Sequence, residues 1–276
     1  MAASTPPSGT QLAGTRNSMK ILALNGSYRT NGNTARVLSL IEERIRCEAD
    51  RAGEPLDFET VDLGHLNIQM CRGCRICFDR GEDHCPLKDD LLAVKKRMKE
   101  ADSVIIASPV YVDDVSGITK NWIDRLAHVC HRPEFFGKSA YLLATAGVTS
   151  TGHTLRTMNA AMYWGFHIIG RAGFKTGALS KRDEINARYG KRIDRIARTI
   201  FISTQHAAVP SFVSLMVFKI QQIGWRKQNH DSIDYRYWQG NGWLDPRRTF
   251  YTNQHTSWLK VNLARLAGSV LAPFNT

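Results

Sequence analysis

From Met19 to about Thr204 short apolar runs alternate with segments of helical periodicity, and that alternation leaves few folds open. Residues 20–24 (KILAL) form an apolar run of the kind shown by a parallel strand buried on both faces. Residues 58–63, 103–107, 139–145 and 167–173 are the other strand candidates. Between and after them, apolar residues at helical spacing predict helices over 34–49, 87–100, 118–129, 154–164 and about 181–204. Strands that alternate with helices predict a parallel sheet covered on both faces, and right-handed crossovers then leave few topologies. The expected architecture is an α/β three-layer sandwich with a five-stranded parallel sheet in the doubly wound order 2-1-3-4-5.

The ends differ from this pattern. Residues 1–18 are rich in Ser, Thr, Pro and Gly and lack an apolar core, which predicts a disordered tail and not a secretion signal. From about Ala207 aromatics crowd together: Trp225, Tyr235, Tyr237, Trp238, Trp243, Phe250, Tyr251 and Trp258. Helix candidates at 211–222 and 257–270 flank turn-like Gly240, Asn241, Gly242, Asp245 and Pro246. The expected organisation is a main domain over 19–206, a cysteine-motif insertion at 66–86, and an extension over 207–276. The extension suits packing on the subunit first, with an oligomer interface, a cofactor cover or a membrane surface as alternatives. No run approaches the roughly 18 apolar residues of a membrane span, so the cytoplasm is the expected compartment.

A net charge of +12 favours anionic partners. No Lys/Arg stripe interleaved with aromatics accompanies it, so no nucleic-acid partner is expected. His128, His131 and His153 lack a carboxylate-rich metal motif and are read as surface or capping residues.

Three loops follow strand candidates. Residues 25–33 (NGSYRTNGN) leave the first strand and open a helix, where free N–H groups and the helix dipole favour an anion. Ser27, Asn33 and Thr34 add short donors and Arg29 a positive charge; a capped turn with Asn33 as N-cap is the plainer alternative. Without a Walker A or GxGxxG pattern the loop fits a terminal monophosphate. Ser108-Pro109-Val110-Tyr111 follows the third strand at the topological switch point, where Tyr111 is placed to stack on a flat ring or to plug the sheet top. Thr145-Ala146-Gly147 follows the fourth strand, with small residues that admit close approach.

Four of the six cysteines, Cys71, Cys74, Cys77 and Cys85, form C-x2-C-x2-C-x7-C followed by Pro86. Three thiolates at two-residue gaps suit one face of an iron–sulfur cubane, with Cys85 returning to close it. Redox-active thiols without a cluster and a zinc site remain open, although zinc usually draws two separated C-x2-C knuckles. A disulfide framework does not fit a reducing compartment. Cys47 and Cys130 fall in helical patterns and are expected to be buried bystanders.

Taken in order, KILALNGSYRTNGNT, SPVYVDDVSGITKNWIDR and the TAG turn resemble the NADPH-dependent FMN reductase and iron–sulfur flavoprotein superfamily over residues 19–204. MCRGCRICFDRGEDHCPLKDD is similar to the compact cysteine motif of its iron–sulfur members. The resemblance implies a flavodoxin-like fold. It implies that Ser27, Arg29, Asn33 and Thr34 hold the FMN phosphate, and that Pro109, Val110, Tyr111, Val112, Asp113, Thr145, Ala146 and Gly147 line the isoalloxazine, with Ser108 beside them. Asp113 and Asp114 depart from the usual amide-rich tip of that second loop.

The first functional expectation is an FMN electron-transfer protein with a [4Fe–4S] cluster on Cys71, Cys74, Cys77 and Cys85, converting between one- and two-electron partners. The second is an NAD(P)H-dependent oxidoreductase acting on FMN, a quinone or a nitro or azo compound, and the third a redox-sensing interaction protein. A ferredoxin-type donor or NAD(P)H, a small-molecule acceptor and a homodimer or homotetramer follow from the resemblance. No side chain is assigned as catalytic acid or nucleophile.

Overall fold

The structure, a computed structural model, describes residues 18–272 apart from 180, 229, 254 and 255. Residues 1–17, which hold nearly all of the expected N-terminal tail, and 273–276 lie outside the described residues.

Strand β1 (Met19–Asn25) is buried at every position except Lys20. A polar loop joins it to α1 (Asn33–Ala52), and β2 (Leu56–Asp62) follows. The cysteine segment carries only one short helix, α2 (Ile76–Asp79), before α3 (Leu91–Glu100). Then come β3 (Ser103–Tyr111), the two-residue β4 (Asp114–Val115), α4 (Gly117–Arg125), β5 (Ser139–Ala146), α5 (Gly152–Met158), β6 (His167–Lys175) and α6 (Arg182–Gln205). Helices α7 (Phe212–Lys227), α8 (Ile233–Gly240) and α9 (Trp258–Leu271) complete the order.

The sheet runs β2-β1-β3-β5-β6, with parallel pairing throughout that path. Counted without β4, this is the doubly wound order expected from the sequence. The sixth strand, β4, folds back antiparallel on the end of β3 and is too short to carry a periodic signal. Strand alternation sorts the core into two layers. Leu22, Leu24, Val104, Ile106 and Leu142 pack with Leu91, Val94 and Met98 of α3, Trp122 of α4 and Met158 of α5. Ile21, Ala23, Ile105 and Leu143 pack with Val37, Ile41 and Ile45 of α1 and Ile193, Ala197 and Ile200 of α6.

Several helix limits shift from the sequence reading. α3 begins at Leu91, not residue 87, because Asp89 Oδ1 accepts the Leu91 N–H and Asp90 Oδ2 the Asn67 N–H, which holds that stretch as a turn. α4 and α5 end early in tighter turns over Ala127–Cys130 and Asn159–Met162, a distinction that apolar spacing does not carry. α8 has no counterpart among the helix candidates of the sequence, and its end takes in turn-like Gly240; its Ser232 accepts the Tyr235 N–H as an N-cap.

The C-terminal helices build their own aromatic core from Phe218, Trp238, Trp243, Phe250 and Tyr251, against which Phe136 of the main domain packs. Buried Gln222 ties the 243–248 turn to α7 by donating to the carbonyls of Trp243, Asp245 and Arg248 at 2.8, 2.9 and 3.2 Å. Cys47 is exposed and Cys130 half-buried, contrary to the expectation that both are buried, because Cys47 faces outward from α1. His128 is 1% exposed and not a surface residue. Among the described residues no helix is long and apolar enough to cross a membrane.

Candidate functional site

A cleft of about 770 Å³ opens at the carboxyl ends of β1, β3, β5 and β6. It gathers Ser27, Arg29, Asn33, Thr34, Pro109, Val110, Tyr111, Thr145, Ala146 and Gly147, residues singled out from three separate loops. The N-cap of α1 is Gly32, not Asn33, and no side chain caps the helix, so its first N–H groups face the cleft without a side-chain acceptor. Asn33 instead donates through Nδ2 to the Thr176 carbonyl (2.9 Å), and its Oδ1 accepts from Arg36 Nη1 (2.8 Å). Thr34 and Thr145 share a buried hydroxyl–hydroxyl bond of 2.6 Å that ties the first turn of α1 to the end of β5. Ser27 Oγ accepts the Arg29 N–H at 3.1 Å and fixes the loop. Gly26 sets the approach of that loop: a Cβ there would lie 1.9 Å from Thr119 Oγ1 and 2.9 Å from the Ala107 carbonyl oxygen.

Ser108, Val112 and Asp113 do not line the cleft. Ser108 is fully buried, donates to the Pro109 carbonyl (2.9 Å) and accepts the Ser116 N–H (3.0 Å), so its hydroxyl shapes the β3–β4 turn from inside. Val112 and Asp113 form the hairpin tip with φ of 49° and 67°. The Val112 side chain is fully in solvent, and Asp113 lies 3.5 Å from His153. Tyr111 is 44% exposed and lines the cleft, so it does not plug the sheet.

A second cavity of about 690 Å³ is lined by Cys71, Cys74, Cys77 and Cys85 together. All four are free thiols. Among the described residues no three cysteine sulfurs lie mutually within 4.8 Å. Burial raises the Cys77 thiol, and charge on Cys85 and Cys71 raises it further. From α4, buried Arg125 reaches within 4.0 Å of Cys85 Sγ through Nη2. The same guanidinium is held by Asp89 at 2.6 Å and by the Gln69 carbonyl at 2.7 Å. Asn121 Oδ1 accepts the Cys71 N–H at 3.0 Å. Below the cysteines, burial works against the Glu82 carboxylate, but Lys95 at 2.6 Å overrides it and holds the group at about 2. His128 is driven down to about 4 by burial, against the pull of Glu82. The turn after β2, which precedes the cysteine segment, packs closely on the loop after β1: a Cβ on Gly64 would stand 2.9 Å from Tyr28 Cα.

The model of the NADPH-dependent FMN reductase family matches residues 19–178, more than half of the chain. This chain belongs to that family. It is a flavin-dependent oxidoreductase with the flavodoxin-like fold, and FMN and NAD(P)H are the cofactor and reductant of the family. An "Iron-sulfur flavoprotein" of Archaeoglobus fulgidus is 29% identical over 232 residues, covering 82% of this chain and all of that protein. An "NADPH azoreductase" of Bacillus sp. is 31% identical over 148 residues, covering 52% of this chain and 68% of its own length. The solved structure of RosB with its bound intermediate 8-demethyl-8-formylriboflavin-5'-phosphate covers 87% of this chain and 93% of its own at a TM-score of 0.53 and 13% identity, a likeness of fold.

The cleft also holds Tyr28, Thr30, Asn31 and Gly32, which the sequence places in the loop after the first strand without individual roles, and Arg36, Thr176, Gly177 and Leu179, for which it gives no signal of its own. Thr176 and Gly177 follow β6, so the rule that ligands gather beyond carboxyl strand ends would have found them. Arg125 and His128 carried no comparable signal, since they reach the cavity from α4 and the turn after it, and Glu82 and Asp89 stood within the cysteine segment without a spacing that marks them.

Proposed function

We propose that this member of the family is an iron–sulfur flavoprotein that passes electrons between a nicotinamide or ferredoxin-type partner and a small-molecule acceptor. The observation that carries the reading is that four free cysteines at iron–sulfur spacing line one cavity, in a chain whose strand-end cleft suits a phosphorylated ligand.

The cleft residues fit FMN. Arg29 and Arg36 supply positive charge, the α1 N-terminus is uncapped by any side chain, and no carboxylate lines the cleft among the described residues. A Cβ on Gly147 would meet nothing within 4 Å, which leaves open space beside the strand end for a flat ring. The four-thiol set at C-x2-C-x2-C-x7-C spacing suits a cluster better than zinc, which usually draws two separated C-x2-C knuckles. When bound, FMN exchanges electrons singly or as a hydride equivalent and a [4Fe–4S] cluster exchanges them one at a time, so the pair converts between two-electron and one-electron partners.

In this reading Ser27 and Arg29, with the first N–H groups of α1, bind and orient the phosphate. Asn33 and Thr34 hold the helix start to Thr176 and Thr145, so the anion site is rigid before it is filled. Pro109, Val110 and Tyr111 form one wall for the ring, and Ala146 and Gly147 the other. Cys71, Cys74, Cys77 and Cys85 are the cluster ligands, and Arg125 offsets thiolate charge at Cys85. Free thiols suit the cytoplasm, and a homodimer or homotetramer is the proposed assembly. The azoreductase relative supports a second reading, in which NAD(P)H reduces a quinone, nitro or azo compound without a cluster.

Iron and sulfide per FMN, measured on an anaerobic preparation, separate the two. About four of each per flavin, lost in Cys74→Ala with FMN retained, supports the iron–sulfur reading. Flavin without iron leaves the reductase reading, and absence of FMN overturns both.

A further inference from the structure

We infer that the C-terminal helices brace the cysteine segment from behind, with Asp234 and Arg132 as positioning residues that fix the Cys77 end of the ligand set. The inference rests on the reading of the cysteines as ligands and assigns a role to the extension beyond subunit packing.

The segment has little structure of its own. Between Cys71 and Cys85 its only α-helix is the four-residue α2, whose N-cap Arg75 sits at φ 62° with no side-chain cap. Gly73 and Gly81 also take positive φ, at 63° and 103°. Cys71 and Cys74 are exposed, so no core packing holds that end.

The inner half is held from outside. Arg132, 4% exposed, donates through Nη2 to the Cys77 carbonyl at 2.6 Å and to Glu82 Oε2 at 3.1 Å. The orientation of that guanidinium is set by α8, because its Nη1 pairs with Asp234, itself 6% exposed. The other Asp234 oxygen lies 2.8 Å from His131 Nδ1, and Trp238 Nε1 donates to the His131 carbonyl at 2.8 Å. The Phe78 ring meets His131 at 4.7 Å, and His131 meets Trp225 of α7 at 5.0 Å. Ile233 Cδ1 lies 3.4 Å from where a Cβ on Gly81 would stand. Contacts from α7 and α8 therefore bear on the segment at Cys77, Phe78, Gly81 and Glu82, directly or through Arg132 and His131, and Lys95 holds Glu82 from α3 at 2.6 Å.

A buried guanidinium shared between two carboxylates and a carbonyl has one low-energy pose. Removing Asp234 releases Nη1 and with it the grip of Nη2 on the Cys77 carbonyl. Cys71 is held through its N–H by Asn121 and Cys74 is exposed, while Cys77 is set in advance by the grip on its carbonyl.

Site-resolved alkylation of iron-free protein tests this without any cofactor. In Asp234→Asn the alkylation rate at Cys77 should rise at least about threefold while Cys47 on α1 is unchanged. Asp234→Glu, which keeps the charge, should restore most of the wild-type rate. An unchanged Cys77 rate, or an equal rise at Cys47, overturns the brace. If Asp234→Asn does not fold, hydrogen exchange of the wild-type iron-free chain decides: amides of 77–80 should open together with those of α8. Free exchange at 77–80 beside a protected α8 overturns it. Both readouts are independent of iron content, so the brace and the cluster reading fail separately.

Discussion

The strand-end cleft takes its walls from loops that directly follow β1, β3, β5 and β6, whereas the cysteine cavity takes its thiols from one loop and its support from α3, α4, the 127–132 turn and α8. In the cleft the backbone is the main instrument: an uncapped helix start, a glycine at the closest approach, hydroxyls that pin strand to helix. In the cavity charge does that work, through Arg125–Asp89, Lys95–Glu82 and Arg132–Asp234. A parallel sheet supplies rigid loop origins without further help, but a cysteine loop with one short helix has to borrow its shape from neighbours. The two sites should accordingly break under different insults.

The largest effect is expected at Gly26. Gly26→Ala drives a Cβ against Thr119 Oγ1 and the Ala107 carbonyl, which should cost about 3 kcal/mol and abolish flavin retention. Chemical denaturation with flavin and iron assays checks it; iron retained in the folded fraction would confirm that the sites are separately supported, and unaltered FMN binding would refute the backbone account of the cleft.

Acid should act mainly on the cavity. His128 holds its proton only below about 4 when folded, against 6.5 ordinarily, so between those values the unfolded chain binds more protons and stability falls as pH drops from 6.5 towards 4. Glu82 has the depressed-carboxylate sign: its contribution is intact above 4.5 and is lost as pH falls towards about 2. Urea unfolding of iron-free protein should lose on the order of 2 kcal/mol between pH 6.5 and 4.5, and His128→Leu should flatten that slope. An equal slope in the variant would remove His128 from the account.

A smaller effect is expected from Arg29→Ala. Loss of one charged phosphate contact should weaken FMN binding about tenfold, roughly 1.4 kcal/mol, with iron content unchanged. Flavin fluorescence titration of the apoprotein measures it, and an unaltered affinity would place the phosphate elsewhere.

Much of the cleft was legible in the chain because its residues follow apolar runs directly. Ser27, Arg29, Pro109, Tyr111, Thr145 and Gly147 could be singled out by position, whereas Arg36 of α1 and the loop after β6 could not. Ser108 was legible as a loop residue but not as a buried one, and Val112 and Asp113 followed the motif onto a tip that leaves the cleft. The cysteines announced themselves by spacing, yet Arg125, Glu82, His128, Arg132 and Asp234 did not, since ion pairs between residues 13 to 102 positions apart leave no periodic trace.

By itself the sequence determined the doubly wound sheet, the three strand-end loops and the cysteine spacing, because hydrophobic period and turn chemistry act over a few residues. Tertiary structure alone decided which charged side chains are buried together and that the aromatic extension stands behind the cysteine loop. Those outcomes depend on crossover geometry and on pairing buried charges, which arise only once distant segments have packed.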